Sequence, residues 1–262
     1  MEQATYIHGM HATEQERLAG LNRLTNAPFL RFLALRETDR VLEVGSGLGL
    51  LAAEAAQQLP QGAMVGIEYA PEQLARVLVP ASNLRFLRGD AHRMPFPNDR
   101  FDVVYCRYVL EHVRDPLRVL QEMRRILKSG GRALAQENNI EMVAFDPDCP
   151  AFKAVWKQFT ILQARLGGDA LIGKRLFGLF YHAGFRDIEL SYQPEIHPAN
   201  KPTFRPWMQN LIALLPGAAD ALQAHHLATQ AEIDQAIAEL QSFMERDDAT
   251  ALFHWNRACG VK

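Results

Sequence analysis

Cysteine is scarce in this chain of 262 residues. Cys106, Cys149 and Cys259 stand far apart, and none belongs to a CxxC pair. An odd, sparse count of this kind argues against a disulfide framework and against a thiolate zinc site. No apolar run approaches the length needed to cross a membrane, and Met1 to Thr13 lack the apolar core of a signal peptide. The expectation is a chain that works in the cytoplasm, without a membrane partner. An excess of one charge is also missing: 28 Lys and Arg face 30 Asp and Glu, a formal net charge of −2. Such a balance offers no broad attraction to phosphate backbones, so no nucleic-acid partner is expected. Internal repeats and low-complexity tracts are absent. What remains is ordinary globular material, 48% apolar and 22% charged, and long enough to bury a sizeable core.

Strand and helix patterns alternate through the first half. Residues 13–35 carry helical spacing (Glu14, Arg17, Leu18, Leu21, Leu24), with Pro28 placed to begin a second helical stretch. Val41–Val44 reads as a short strand closed by glycines, and Leu50–Leu59 as an Ala-rich helix stopped by Pro60. Strands then follow at 63–68, 84–87, 101–106 and 132–136, with helices expected at 71–78 and 116–127 and a turn at 128–131. Five alternations predict an α/β fold with a mostly parallel sheet and helices on both faces. Right-handed crossovers bring the loops after the strands to one edge of the sheet, where ligands bind in such folds. Residues 148–182 read as helical and aromatic-rich (Phe152, Trp156, Phe159, Phe177, Phe180, Tyr181). A strand follows at 185–192, a proline-punctuated connection at 194–206, helices at 208–215 and 218–246, and a last strand at 249–261.

Three signals fall at strand ends. Glu43-Val44-Gly45-Ser46-Gly47-Leu48-Gly49 follows the first strand, and glycines there permit positive φ and close approach of a ligand to the backbone. A packing turn and a dinucleotide loop are the alternatives. The dinucleotide pattern, however, prefers G-x-G-x-x-G, and here the third glycine comes one residue early. Glu68 ends the second strand about 20 positions later, where a carboxylate can accept hydrogen bonds from ribose hydroxyls. Gly89-Asp90-Ala91 follows the third strand. Asp90 can accept from an exocyclic adenine amine while the Ala91 backbone N–H donates to the ring, although Asp also caps helices and turns.

Together these stretches resemble the class I S-adenosylmethionine-dependent methyltransferases, in particular their ubiquinone-biosynthesis-like, small-molecule branch. The matching segments are VLEVGSGLG (41–49), GIEYA (66–70), GDAHRMPFPNDRFDVVYCRYVLEHVRDP (89–116) and LKSGGRALAQEN (127–138). AGFRDIEL (183–190) resembles the sixth strand of the family, and ALFHWNRACGVK (251–262) its antiparallel seventh. The resemblance implies a Rossmann-like seven-stranded sheet. It divides the chain into an N-terminal helical cover (1–38), a cofactor-binding core (39–193, including a helical substrate-side segment at 142–182), a helical cap (194–248) inserted before the last strand, and that strand (249–262). The implied cofactor is S-adenosyl-L-methionine, with S-adenosyl-L-homocysteine as its product. Glu43, Gly45, Ser46, Gly47 and Gly49 would lie against its methionine part, Glu68 would hold the ribose and Asp90 the adenine. Tyr69 and Ala91 would flank the ring, and the backbone around Cys106 and Arg107 would receive the amino group. TYIHGMHATEQERL (5–18) resembles a segment that folds over the cofactor, which makes Tyr6, Met10 and Arg17 further contacts.

Methyl transfer from a sulfonium needs an in-line nucleophile, and positioning alone can contribute roughly 7–11 kcal/mol. His112, just after the fourth strand, is the candidate base if the nucleophile carries a proton. Tyr108, Glu137, Asn139, Arg175, Tyr181 and His197 are candidate substrate contacts. Arg175 belongs to Gly168–Leu176, which resembles a stretch of secondary-metabolism methyltransferases. Residues 194–248 are too apolar for a solvated linker (Phe204, Trp207, Met208, Leu211, Leu214, Leu215), and read as a lid over an apolar substrate or as a homodimer face. Cys106-Arg107-Tyr108-Val109 is not the (D/N)-P-P-(Y/F) motif of adenine-amine methyltransferases, and no Pro-Cys pair suits a cytosine enzyme. The strand ends lack an acid cluster for a hard cation, so no metal is expected. The expected activity is methyl transfer to O, N or C of a small apolar molecule in secondary metabolism. A non-catalytic cofactor-binding partner subunit and a protein or RNA methyltransferase are the alternatives.

Overall fold

The structure is a computed structural model that describes residues 12–77 and 81–262, with the side chains of its first helix from Arg17 onward. Tyr6 and Met10 lie outside the described residues. The elements run α1 (Ala12–Leu33), β1 (Arg40–Val44), α2 (Leu50–Gln57), β2 (Ala63–Glu68), α3 (Pro71–Leu74), β3 (Leu84–Arg88) and β4 (Phe101–Arg107). They continue through α4 (Pro116–Ile126), β5 (Leu127–Glu137), β6 (Ala144–Asp146), α5 (Pro150–Arg165), α6 (Leu176–His182), β7 (Arg186–Pro198), α7 (Phe204–Ala224), α8 (Gln230–Met244) and β8 (Thr250–Val261).

Strands β3, β2, β1, β4 and β5 pair in that order and in parallel, while β8 runs antiparallel to β5 and to β7. The architecture is the expected α/β one, with one addition to the seven strands. The three-residue β6 pairs with the start of β8, beside the stretch that β5 covers farther along, which brings the described sheet to eight strands. Period-two alternation splits the strand side chains between two layers. Leu42, Val44, Val104 and Cys106 pack with α4 and α6, whereas Val41, Val103 and Tyr105 pack with α1 and α2. A third apolar cluster joins α5, α7 and α8 to the start of β8 and forms the cap.

Prolines account for most departures from the sequence reading. Pro28 lies inside one helix of 22 residues, and Pro216 inside one helix of 21, where two helices were expected in each place. A proline in a helix interior costs about 3 kcal/mol. In α7 the buried face of Leu211, Leu215, Ala218 and Leu222 offsets it. The break comes instead before Thr229, whose side chain forms a capping box with Glu232 and starts α8. Residues 194–198, expected in a connection and assigned to the cap, belong to β7. As an edge strand β7 tolerates Pro194 and Pro198. Residues 128–131, expected as a turn, lie within β5 at a register shift where Gly130 has φ 76°.

Two glycines separate backbone strain from crowding. Gly49 has φ 75°, and a Cβ there would come within 2.5 Å of the Phe86 ring. Gly130 has φ 76° but nothing within 4 Å of such a Cβ. Gly130→Ala should therefore lose about 1–2 kcal/mol in urea denaturation, the cost of a left-handed L-residue. Gly49→Ala should lose about 1–3 kcal/mol more. Equal losses would show that Phe86 does not constrain the turn.

Candidate active site

The carboxyl ends of the strands open into one large cavity of about 870 Å³, enough for a cofactor and a second small molecule. Its walls bring together Arg17, Glu43, Gly45, Ser46, Gly47, Glu68, Tyr69, Asp90, Ala91, Arg107, Tyr108 and His112, residues that the sequence spreads over almost 100 positions. Gly45 (φ 71°) and Gly47 (φ 52°) shape the turn after β1, and a Cβ on Gly45 would meet Val109 at 2.5 Å. At the end of β2, Glu68 accepts hydrogen bonds from the Gly47 N–H through Oε2 and the Ala70 N–H through Oε1, both at 2.9 Å. One bond fixes the glycine turn and the other starts α3. Each oxygen keeps a further acceptor site.

Asp90 accepts from the His92 backbone N–H at 2.9 Å, and the His92 ring Nδ1 lies 2.8 Å from the same oxygen. Burial pushes the Asp90 carboxyl up, but the His92 contacts outweigh it and hold the group below its ordinary value, so it stays an anionic acceptor. Glu43 is the opposite case. It is 4% exposed and its Oε2 has no hydrogen-bond partner in the protein. Burial drives its pKa to about 8, with Arg107 and Tyr105 pulling down and Glu68 pushing up.

Arg107 is held from α1. Its guanidinium donates to Asn22 Oδ1 at 2.5 Å, Asn26 Oδ1 at 2.8 Å and Thr25 Oγ1 at 3.3 Å, and it lies 5.3 Å from the Phe29 and Tyr108 ring centroids. Farther up α1, Arg17 Nη1 donates to Asn210 Oδ1 of α7 at 2.7 Å, joining the first helix to the cap across the cavity. His112 lies on the wall with Nε2 3.7 Å from Glu111 Oε1. The turn that carries it is capped by the buried Glu137, whose Oε1 accepts from the Val109 and Leu110 N–H groups at 3.1 Å. Burial and the nearby Glu111 charge raise the Glu137 pKa to about 8 against those backbone donors.

Seven expected residues lie off the cavity wall, the fully buried Glu137 among them. Gly49 starts α2 and packs against Phe86. Cys106 points into the α4–α6 layer, because alternation along β4 sends its neighbour Arg107 the other way. Asn139 caps a short 3₁₀ helix, and it is Asn138 that lines the cavity. Arg175 pairs with Asp169 at 2.5 Å on the surface. Tyr181 is exposed on α6 and stacks on Phe177. His197 is buried one layer behind the wall, stacked on Trp207.

Besides Arg107 and His112 the cavity has an apolar chamber, lined by Ile140, Val143, Trp156, Phe159, Trp207, Leu211, Leu214, Phe253 and Trp255. The sequence marked the aromatic character of α5 and α7. It did not show that Phe253 and Trp255, on the last strand, complete the same chamber. Among the described residues, no group of three or more His, Cys, Asp or Glu side chains is arranged to hold a metal ion. No described helix is long and apolar enough to cross a membrane.

Residues 42–135 match the family model described as a methyltransferase domain. The demethylmenaquinone methyltransferase of Deinococcus radiodurans is 39% identical over 102 residues, 37% of this chain and 42% of that protein. The 2-phytyl-1,4-naphtoquinone methyltransferase of Synechococcus elongatus is 36% identical over 121 residues, 44% of this chain and 52% of that protein. Among solved structures, an S-adenosylmethionine-dependent methyltransferase of Thermotoga maritima superimposes with a TM-score of 0.56 at 18% identity, covering 95% of both chains, which shows a shared fold. Residues 42–135 are a methyltransferase domain. The chain spans about half the length of the curated relatives it matches, 42% and 52% for these two. The matched stretch of the methyltransferase domain ends before α5, α7 and α8, so the chamber is built largely from segments outside it.

The raised pKa of Glu137 has a consequence for stability. A carboxyl whose folded pKa lies above its ordinary 4.5 stabilises the fold fully below 4.5 and loses that contribution as pH rises through about 8. The ligand-free protein should therefore melt progressively lower between pH 5 and 8.5. Glu137→Gln, which keeps the acceptor for Val109 and Leu110, should flatten that decline and equal or exceed the parent at pH 8.5. An unchanged slope by thermal scanning would mean that Glu137 is ionised in the folded protein at neutral pH.

Proposed function

We propose that this chain transfers the methyl group of S-adenosylmethionine to a small, uncharged molecule built on a ring, lodged in the aromatic chamber. The observation that carries the reading is the continuity of the cavity: one volume runs from Glu68 and Asp90 to Trp207 and Trp255. The cofactor fits its lower half on chemical grounds. Glu43 Oε2 and Ser46 Oγ are buried oxygens without partners, before and within a turn whose Gly45 and Gly47 carry no side chain. A ligand that brings ammonium and hydroxyl donors would satisfy them, and an unsatisfied buried polar group costs about 1–3 kcal/mol.

In this reading Glu68 holds the ribose hydroxyls through its spare acceptor sites, Asp90 and the Ala91 N–H read the adenine edge, and Tyr69 covers the ring. Glu43 faces the ammonium of the methionine part, and Arg17 and Arg107 lie at the carboxylate end. Bound S-adenosylmethionine supplies an electrophilic methyl carbon on a sulfonium. The chain's own residues orient the acceptor: the aromatic walls hold it in line and exclude water. Where the acceptor carries a proton, His112 receives it at a ring nitrogen. The cap over the chamber acts as a lid, consistent with the Arg17–Asn210 bond. An uncharged ring suits the chamber walls, where Ile140, Val143, Trp156, Phe159, Trp207 and Leu211 carry no charge. The two curated relatives named for quinones also favour rings.

Mass spectrometry with deuteromethyl-labelled cofactor and a panel of naphthols, phenols and amines tests the activity. Label on a ring acceptor is expected, and binding of cofactor without transfer to any member would favour a non-catalytic partner subunit. Glu68→Ala removes a carboxylate whose hydrogen bonds are worth about 1.5–3 kcal/mol each. Calorimetry should then show S-adenosylhomocysteine affinity about 10- to 100-fold weaker, and unchanged affinity would refute the ribose assignment. His112→Ala should lower kcat by about 10²–10⁴ for a protonated nucleophile while leaving S-adenosylhomocysteine affinity within threefold. An unaltered kcat would remove His112 from the chemistry.

A further inference from the structure

Behind the aromatic wall of the chamber lies a buried polar pair that methyl transfer does not use. Glu195 and His197 sit two apart on the inner face of β7, 6% and 4% exposed. Glu195 Oε1 accepts a hydrogen bond from the Trp255 indole N–H at 2.9 Å. His197 stacks on the Trp207 indole, with centroids 4.6 Å apart and planes 19° from parallel, and its Nδ1 lies 2.8 Å from Thr203 Oγ1. Its Nε2 lies 3.3 Å from Glu195 Oε2, an ion-pair distance without the alignment of a hydrogen bond. One carboxylate thus grips one indole directly and reaches the other through an imidazole. Both indoles line the chamber and meet at 77°, with centroids 6.2 Å apart.

Stability is a poor explanation for such a pair. Taking a carboxylate out of water is costly, and well-packed apolar residues of similar volume are often neutral or stabilising replacements. Apolar packing has no direction of its own. The hydrogen bond to the Trp255 indole N–H does, while Trp207, whose indole N–H has no partner in the protein, is held by the stacked face of the imidazole. The neighbouring wall residue is backed in the same way: Arg257 Nε donates to Gln136 Oε1 at 2.7 Å, and Gln136 Nε2 donates to the Tyr108 hydroxyl at 2.8 Å. Tyr108 in turn packs on Trp255 at 4.5 Å.

We propose that Glu195 and His197 are positioning residues that fix the Trp255 and Trp207 indoles in a corner shaped for a flat ring, and thereby set the substrate selectivity of the chamber. This rests on reading the chamber as the acceptor site. The pair acts through the indoles and does not touch the substrate.

The test uses the full chain saturated with S-adenosylhomocysteine, titrated calorimetrically with 1-naphthol, which is flat, and with decahydro-1-naphthol, its puckered saturated counterpart. The parent should prefer the flat probe at least tenfold. Glu195→Leu and His197→Leu should bring that ratio to within threefold with S-adenosylhomocysteine affinity unchanged, while Glu195→Leu, which strands the buried Trp255 N–H, should also melt lower than the parent. Glu195→Gln, which keeps an acceptor for the Trp255 N–H, should restore most of the preference. A ratio that survives both leucine variants, or affinities for the two probes that fall in parallel, would overturn the proposal. Should the leucine variants not fold, the comparison of Glu195→Gln with Trp255→Phe decides: the first should keep the preference and the second lose it, and the reverse would overturn the proposal. Near-ultraviolet circular dichroism gives a readout that needs no ring ligand. The tryptophan bands of the leucine variants should collapse relative to the parent and to Glu195→Gln, and unchanged bands would also overturn it. If the parent binds neither probe yet its bands respond as expected, the reading of the acceptor site fails while the positioning of the indoles stands.

Discussion

A carboxylate at the end of β2 holds the backbone N–H of Gly47 at 2.9 Å, and the open edge of the sheet is organised around that bond. It joins the loop after β1 to the start of α3, so the turn between them keeps its bare backbone facing the cavity. The bond is possible because parallel pairing sets Glu43 opposite Gly66 and Val44 opposite Ile67, which leaves Glu68 one residue beyond the paired stretch. Gly45, Gly47 and Gly49 all take positive φ, a conformation costing an L-residue about 1–2 kcal/mol each. Glu68 is thus a structural clasp between Gly47 and Ala70.

The same edge is rich in buried polar groups whose state is set by burial more than by partners. Glu43 on β1 and Glu137 on β5, with β4 between them, both have pKa values raised to about 8, while Asp90, more open and bonded to His92, is held low. Burial therefore sorts the acids by role: Asp90 remains a charged acceptor, and Glu137 caps the turn that carries His112. Arg107 is distinctive in being held mainly by the neutral side chains Asn22, Thr25 and Asn26. Those bonds tie α1 to the end of β4, and Arg17 ties the same helix to α7. One helix therefore joins the sheet to the cap.

The parallel sheet and its strand-end acids were legible because their signals are local. Short apolar runs, glycine punctuation and an acid at a fixed offset each occupy a few adjacent residues. The cap was less legible. Pro28, Pro194 and Pro216 read as breaks, but the tertiary packing of α1 and α7 and the edge position of β7 absorb them. The Thr229–Glu232 capping box carried the true break and was passed over. Within the site, single-residue registers decided the departures: Arg107 rather than Cys106, and Asn138 rather than Asn139, because adjacent residues of an extended segment face opposite ways. His197 was placed in the right neighbourhood but one layer too near the ligand. The chamber was the least legible part, since its walls come from Ile140 and Val143, α5, α7 and β8, up to 115 residues apart in sequence between Ile140 and Trp255.

The central claim is that a nucleoside lies along the strand ends with its sugar against Glu68 and that the aromatic chamber beyond it receives the acceptor. A crystal structure with S-adenosylhomocysteine tests this directly. The account predicts the ribose within hydrogen-bond distance of Glu68, the adenine edge at Asp90 and Ala91, and the sulfur facing the space bounded by Tyr108, His112 and Trp255. A nucleoside seated elsewhere, or a sulfur turned away from that space, would contradict it.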